Sequence, residues 1–416
     1  MPQLNNRVVI TGLGAVTSIG IGHKAFFDNL TAGKSGISLI EGLDTSAYTT
    51  RIGSQIKNFD AGQFMDKKEA RKLVRFIQFA IAGAKLAVED AKLKIDESNA
   101  CDVGVLVGSG IGGIDFFEEQ VVILKNKGPS RISPFAVPYM ICNMAAGMVS
   151  IHLGIKGPNS CVATACATGT HSIGDAYRIL QRGDAKAMVA GGSEAPITPL
   201  GLGAFCAARA LSTNNNNPEK ASRPFEKNRD GFVMGEGAGI VVLETLDHAL
   251  SRGANIYAEV VGYGMSGDAF HMTAPAPNGE GASRAINLAL KDAGLNCEDI
   301  DYVNAHGTST ELNDKYETMA IKKSFGERAK KLLISSNKSM IGHLLGAAGA
   351  IELIATSLTI KNGIVPPTIN HDEADPECDL NYVPNHSIKA DIKAAISNSF
   401  GFGGHNAVLA IKKYEA

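Results

Sequence analysis

Short β-type runs alternate with helical patterns along the whole of this chain, and that alternation restricts the fold more than any other feature. Runs at Val8–Ile10, Val103–Val107, Ala187–Ala190, Ile240–Leu243, Ala258–Val261, Tyr302–Asn304, Leu332–Ser335 and Ala407–Ile411 are short and largely apolar. Such runs mark strands buried on both faces. Helical spacing of apolar residues recurs near 67–92, 140–153, 167–181, 281–293, 313–325 and 344–361. An α/β protein follows. The polar stretch 212–230, with its run Asn214–Asn217, reads as a surface excursion, and no Pro- or Ser-rich linker divides the chain. A weak repeat is visible: Arg7–Ala15 resembles Glu259–Ser266, Asp102–Gly113 parallels Asp301–Thr310, and Ser160–Leu180 parallels Ser335–Leu358. In the first pair, a strand runs into a Gly-rich turn. The repeat predicts two similar halves, residues 1–255 and 256–416, packed side by side.

Composition narrows the function. Lys and Arg number 40 against 42 Asp and Glu, a net charge of −2. That balance argues against nucleic acid, which needs a strongly basic surface. Seven cysteines with no C-x-x-C pair support neither a disulfide framework nor a zinc ribbon. The opening MPQLNNRVVITGLGAV lacks the basic and apolar regions of a secretory leader. Ile132–Ile155 carries no charge, but its prolines, Asn143 and His152 make it a buried or interface segment rather than a membrane span. The expectation is a reduced, soluble, cytoplasmic protein.

Cys166 stands out among the cysteines. In Ser160–Gly169 (SCVATACATG) an extended small-residue segment reaches Cys166, after which Ile173, Ala176, Tyr177 and Leu180 recur at helical spacing. A cysteine where a strand turns into a helix sits at the positive end of the helix dipole, which favours thiolate. The free N–H groups there can also hold an oxyanion. The other six cysteines read as small buried hydrophobes. Two histidines occupy comparable turns: His306 in NAHGTST after a strand, and His343 in KSMIGHLLGAAG before a helix. Ligands of open α/β folds bind where such turns converge, and a neutral imidazole there can donate N–H to a carbonyl. His23, His152, His171, His248, His371 and His386 read as structural.

Four segments together resemble the beta-ketoacyl-acyl-carrier-protein synthases of the thiolase-like fold, most closely the synthase II type. They are TACATG around Cys166, NAHGTST around His306, KSMIGHLLGAAGA around His343 and the terminal NSFGFGGHN within 397–406, in that family's order and spacing. The resemblance runs from about Arg7 to Lys413. It implies two duplicated βαβαβ-type halves in a layered α-β-α-β-α arrangement, the first carrying the cysteine and the second both histidines. It also implies an acyltransferase that condenses malonyl-acyl-carrier-protein, with loss of CO2, onto an acyl group held on Cys166. By the same resemblance, His306 and His343 stabilise the enolate, and the N–H groups of Cys166 and Phe402 form the oxyanion hole, with Phe402 gating entry. Lys338 pairs with Glu352 and orients the histidines. Thr308 and Thr310 hold the pantetheine arm, and Ile111 and Phe205 line the acyl pocket. His405 replaces a common threonine and is not a third base.

The acyl carrier protein is acidic, so its enzyme needs a basic face. Lys68, Arg71, Lys72 and Arg75 follow i, i+3, i+4, i+7 on the expected helix 67–92, apart from the apolar stripe Leu73, Phe76, Ile77, Ala80 and Ala84. Arg209 matches a further carrier contact. The resemblance implies a homodimer with 132–155 in its interface and Phe135 reaching the partner's pocket. No metal and no cofactor is expected, the substrates riding on the phosphopantetheine of the carrier. The dinucleotide reading of GSGIGG at 108–113 lacks a ribose-binding acid and a second βαβ unit. A thiolase would need a second catalytic cysteine near the C-terminus, and starter-type synthases carry Asn where this chain has His343. The alternatives left open are a polyketide-type ketosynthase and an inactive chain-length partner subunit.

Overall fold

The computed structural model describes residues 6–415, so the start of the N-terminal segment read above for a leader lies outside them. Ten strands form the path of one mixed sheet. They are β1 (Val8–Thr17), β2 (Val103–Gly108), β3 (Asn159–Ser160), β4 (Ala187–Glu194), β5 (Gly237–Thr245), β6 (Ala258–Gly267), β7 (Tyr302–Asn304), β8 (Leu333–Ser335), β9 (Ala394–Gly401) and β10 (His405–Lys412). Their order is β8-β7-β9-β10-β6-β1-β5-β4-β2-β3. Outward from the β6–β1 join the halves read β1-β5-β4-β2-β3 and β6-β10-β9-β7-β8. In both, the first two pairings are antiparallel and the next two parallel. The join is a short antiparallel contact, Val8 with Val260 through Ile10 with Ala258. This is the duplicated thiolase-like architecture.

Helices make three layers around the two half-sheets. Arg75–Ala91 and Met144–Leu153 cover the outer face of the first half, and Glu280–Ala293 with Glu311–Phe325 cover the second. Thr168–Arg182 and Ala348–Asn362 lie between the half-sheets, and Ala348 through Ile360 is buried without a break. The small residues of both motifs are explained by that crossing. A Cβ on Gly169 would lie 2.8 Å from the Ala350 nitrogen, and one on Gly349 would lie 2.7 Å from Ser399 Oγ and closer still to Thr170 Oγ1. Only hydrogen in place of a side chain lets the two helices approach so closely.

Two expectations need correction, and one strand carried no sequence signal. β1 and β6 run through their glycines rather than ending at them, because Cβ atoms on Gly12, Gly14, Gly262 and Gly264 would collide with carbonyls of the covering helices. β9 was not legible as a strand, since its Ser397, Asn398 and Ser399 are polar yet fully buried. The helix expected over 67–92 is two pieces, Lys67–Ala70 and Arg75–Ala91. Asp66 caps the first through the N–H groups of Lys68 and Glu69. Gln78 satisfies the carbonyls freed by the break, donating to Ala70 and Leu73 at 2.7 Å each. The break buries Leu73 and Val74, so the four basic residues do not share one helical stripe.

Candidate active site

Cys166 lies in a tight turn, Ala165–Ala167, that leads directly into Thr168–Arg182. Ala165 takes φ +50, a conformation uncommon for a residue with a side chain, and this aims the following cysteine at a cavity of about 630 Å³. Ile111 and Phe205 pack in one apolar cluster with the sulfur and line the same cavity, as do His306, His343, Thr308, Thr310 and Phe402, with Arg209 at its rim. Lys338 and Glu352 lie buried beyond the histidines.

The histidine tautomers follow from their partners. Lys338 Nζ donates to the His306 carbonyl at 2.6 Å and reaches His306 Nδ1 at 3.4 Å. An ammonium can only donate, so Nδ1 is an acceptor and the ring proton sits on Nε2. The Leu345 N–H donates to His343 Nδ1 at 3.2 Å, which assigns the second proton to Nε2 as well. His343 Nε2 has no hydrogen-bond partner among the described residues. The rings meet edge to face, 5.4 Å apart. Burial and the Lys338 charge hold both imidazoles well below the usual histidine range, His343 adding to the effect on His306. The site therefore holds two neutral N–H donors rather than acids. Lys338 is ion-paired with Glu352.

The cysteine differs from expectation. Burial pushes the Cys166 thiol up to about 11, against the opposing pull of Lys338 and of the Phe402 N–H. Desolvation is the largest influence on the thiol, and it opposes the ionisation that the turn position and Lys338 favour. Phe402 is 37% exposed at the cavity mouth, while Phe400 packs its ring on His306 at 5.7 Å.

Sequence reasoning missed the groups that hold these turns. Glu317 accepts the N–H groups of His306 and Gly307 at 2.8 Å each and the Asn398 amide at 3.1 Å. Burial pushes its carboxyl up to about 7. Glu194 accepts Ser109 Oγ–H and the N–H groups of Gly110, Ile111 and Gly346. Arg229, ion-paired with Asp314 and Asp375, donates to the Thr310 and Glu311 carbonyls and so fixes the turn carrying Thr308 and Thr310. An acidic residue recurring on the buried face of a helix, as Asp314 and Glu317 do, was the one local signal available.

The proposed docking residues separate. Lys68, Arg71, Lys72 and Arg209 are exposed. Arg75 is not free: it forms a two-pronged ion pair with Glu236 at 2.7 and 2.9 Å, donates to the Ile56 carbonyl, and lies over Phe79.

A turn-borne cysteine facing two neutral imidazoles across an apolar cavity, on duplicated halves, defines a thiolase-like condensing enzyme. Residues 5–249 match the family described as beta-ketoacyl synthase, N-terminal domain, and residues 257–372 its C-terminal domain. The chain belongs to the beta-ketoacyl synthase family. It is 56% identical over 409 residues to a 3-oxoacyl-[acyl-carrier-protein] synthase 2 of a Synechocystis species, with 98% of each chain covered. The Staphylococcus aureus protein of that name is equally similar, at 56% over 412 residues and 99% of each chain. Among solved structures, a Burkholderia phymatum beta-ketoacyl synthase superposes with a TM-score of 0.92 at 35% identity, covering 99% of this chain and 100% of that one. A ketosynthase bound to a hexaketide, in complex with its type II polyketide acyl-carrier protein, superposes at 0.91 and 37% identity, covering 98% and 100%. The higher identity to the synthases 2 favours fatty acid elongation over a polyketide role, and the chain is an acyltransferase of the synthase II type. Among the described residues, no helix is long and apolar enough to cross a membrane.

Proposed function

We propose that this enzyme lengthens acyl chains by decarboxylative Claisen condensation, with Cys166 as nucleophile and His306 and His343 as enolate-stabilising donors. The observation that carries the reading is the pair of Nε2–H groups facing the same cavity as Cys166. The Cys166 sulfur attacks the thioester carbonyl of an acyl carrier, and the proton it loses is the one the departing pantetheine thiol gains. Malonyl-carrier then loses CO2, the bonding pair moves into an enolate, and the two Nε2–H groups stabilise its oxygen where charge develops. The enolate carbon attacks the acyl-Cys166 carbonyl, and the N–H groups of Cys166 and Phe402 take up the tetrahedral oxyanion. Collapse releases a beta-ketoacyl-carrier two carbons longer, and a solvent proton restores the thiol. Neutral imidazoles suit this role, because a protonated pair would need two charges in a buried site beside Lys338.

In this reading Thr308 and Thr310, whose hydroxyls lie 2.9 Å apart, take the pantetheine amides. Ile111 and Phe205 bound the acyl chain. An acidic acyl carrier protein docks on Lys68, Arg71, Lys72 and Arg209, and no bound cofactor is required beyond the carrier's own phosphopantetheine. A homodimer is supported by exposed Phe117, Val121, Val122, Leu124, Phe135, Val137 and Ile151 and by the exposed edge strand β3. The two halves divide near residue 256, and the protein works in the cytoplasm.

The test is intact-protein mass after mixing with a saturated acyl-carrier thioester. An acyl-sized gain on wild type, absent from Cys166→Ala and discharged by malonyl-carrier, is the expected result. No adduct at any chain length would overturn the reading.

A further inference from the structure

The duplication places a second copy of the nucleophile turn in the other half, and something has filled it. Ala165–Ala167 and Leu345–Ala347 have the same shape: each opens with positive φ, +50 at Ala165 and +48 at Leu345, and each feeds the central helix of its half. Gly346 therefore occupies in the second half the place of Cys166 in the first. At Gly346 the turn N–H is taken up, because the Glu194 carboxylate accepts it at 2.9 Å. Strands of equal length bring the two neighbours up, β9 ending at Gly401 over the cysteine turn and β4 ending at Glu194 over the glycine turn.

Glu194 holds more than that one group. Its Oε2 also accepts the Gly110 N–H at 2.7 Å, and its Oε1 accepts Ser109 Oγ–H at 2.6 Å and the Ile111 N–H at 3.1 Å. Ser109 Oγ itself accepts the Gly112 N–H at 2.9 Å, which directs its hydrogen to the carboxylate. Four donors thus meet the four acceptor sites of the carboxylate; burial raises the carboxyl above its usual range, and these four hydrogen bonds favour the ionised form against it. The clamp on the matching turn of the second half, Glu317, takes backbone N–H groups from one turn only, His306 and Gly307, its third donor being the Asn398 side chain. Glu194 instead ties together two segments distant in sequence. One is the Ser109–Ile111 turn that walls the cavity beside Cys166. The other is the turn immediately after His343, whose Leu345 N–H fixes the His343 tautomer.

We propose that Glu194 is a positioning residue that couples the seating of the acyl chain against Ile111 to the alignment of His343. It has no place of its own on the cavity wall, so it acts through the two turns. Displacement of Ile111 by an acyl chain is passed to the Gly346 turn through one carboxylate. The condensation step, which uses His343, then depends on which chain is bound, beyond any effect on acylation of Cys166.

This rests on the roles given to Cys166 and His343 above, and the test separates the two. Glu194→Gln puts an amide N–H₂ where acceptors are needed, and Ser109→Ala removes one of the four donors while leaving the carboxylate. Full-length variants are acylated with short, medium and long saturated acyl-carriers, read by intact mass, and the discharge by malonyl-carrier is timed separately. Glu194→Gln should slow discharge by about tenfold or more, as expected for loss of a charge-assisted buried network. The slowing should differ between chain lengths, with Ser109→Ala shifting the pattern in the same direction by less. Equal slowing at every chain length, or slowing of acylation alone, would reduce Glu194 to a structural prop and overturn the proposal. If Glu194→Gln is not recovered folded, Ser109→Ala decides: a wild-type chain-length pattern overturns it. Failure of wild type to form any acyl adduct would refute the nucleophile reading instead, whatever the variants do.

Discussion

Replacing Lys338 with methionine separates what the buried ion pair does for stability from what it does for chemistry. The ammonium is 1% exposed and serves three acceptors: the Glu352 carboxylate, the His306 carbonyl and His306 Nδ1. Methionine occupies similar volume without charge, so Glu352 is left buried, and its Oε2 already lacks a partner among the described residues. Breaking a buried pair from one side costs about 3–5 kcal/mol, and urea unfolding should register a loss of that order. The rate falls for a different reason. With no donor on Nδ1, the His306 proton is free to sit there, and one of the two enolate donors is lost. Removal of one donor of this kind costs about 10²–10³ in rate. Acylation of Cys166 does not use that donor and should change far less. The deciding variant is Lys338→Met with Glu352→Leu, because exchanging both partners for apolar groups is often neutral or stabilising. Its urea midpoint should recover while decarboxylation of malonyl-carrier stays slow. A rate that recovers together with stability would refute the tautomer argument.

Three further outcomes follow from the geometry. His343 is held neutral well below pH 6.5 in the folded chain, whereas the unfolded chain takes up its proton below about pH 6.5. The unfolded state then binds more protons, so stability falls as pH drops through that window. The His343→Asn variant should lose about 1.4 kcal/mol per pH unit of that slope between about pH 6 and 5, and equal slopes in urea titrations of the two proteins would contradict it. Charge reversal of Lys68, Arg71 and Lys72 to Glu should raise KM for acyl-carrier protein about tenfold and spare turnover of small thioesters, whereas Arg75→Ala should lower stability and leave carrier KM unchanged, because it strands the buried Glu236. Gly14→Ala should cost about 3 kcal/mol or more in thermal unfolding, since its Cβ would fall against the Gly83 carbonyl rather than a side chain that can move; a loss below about 1 kcal/mol would show that the covering helix yields.

The sequence alone determined the α/β class, the repeat, and the three turns that carry Cys166, His306 and His343. Those features are local: a buried run followed by small residues and a helical period can be read within a short window of chain. Resemblance added the roles proposed for Lys338, Phe402 and the two threonines. Tertiary structure alone decided the rest. The acidity of Cys166 depends on how much of the fold closes over it, a desolvation that raises the thiol and that ten residues of sequence do not show. The tautomers of His306 and His343 depend on Lys338 and on the Leu345 N–H, contacts that a spacing pattern does not specify. Arg75 looked equivalent to Lys68 and Arg71 until the helix broke at 71–74 and turned it onto Glu236, 161 residues away. Glu194 and Glu317 carried the least signal of all, because a buried carboxylate acquires its meaning from the backbone N–H groups that the fold delivers to it, and those come from segments up to 152 residues distant.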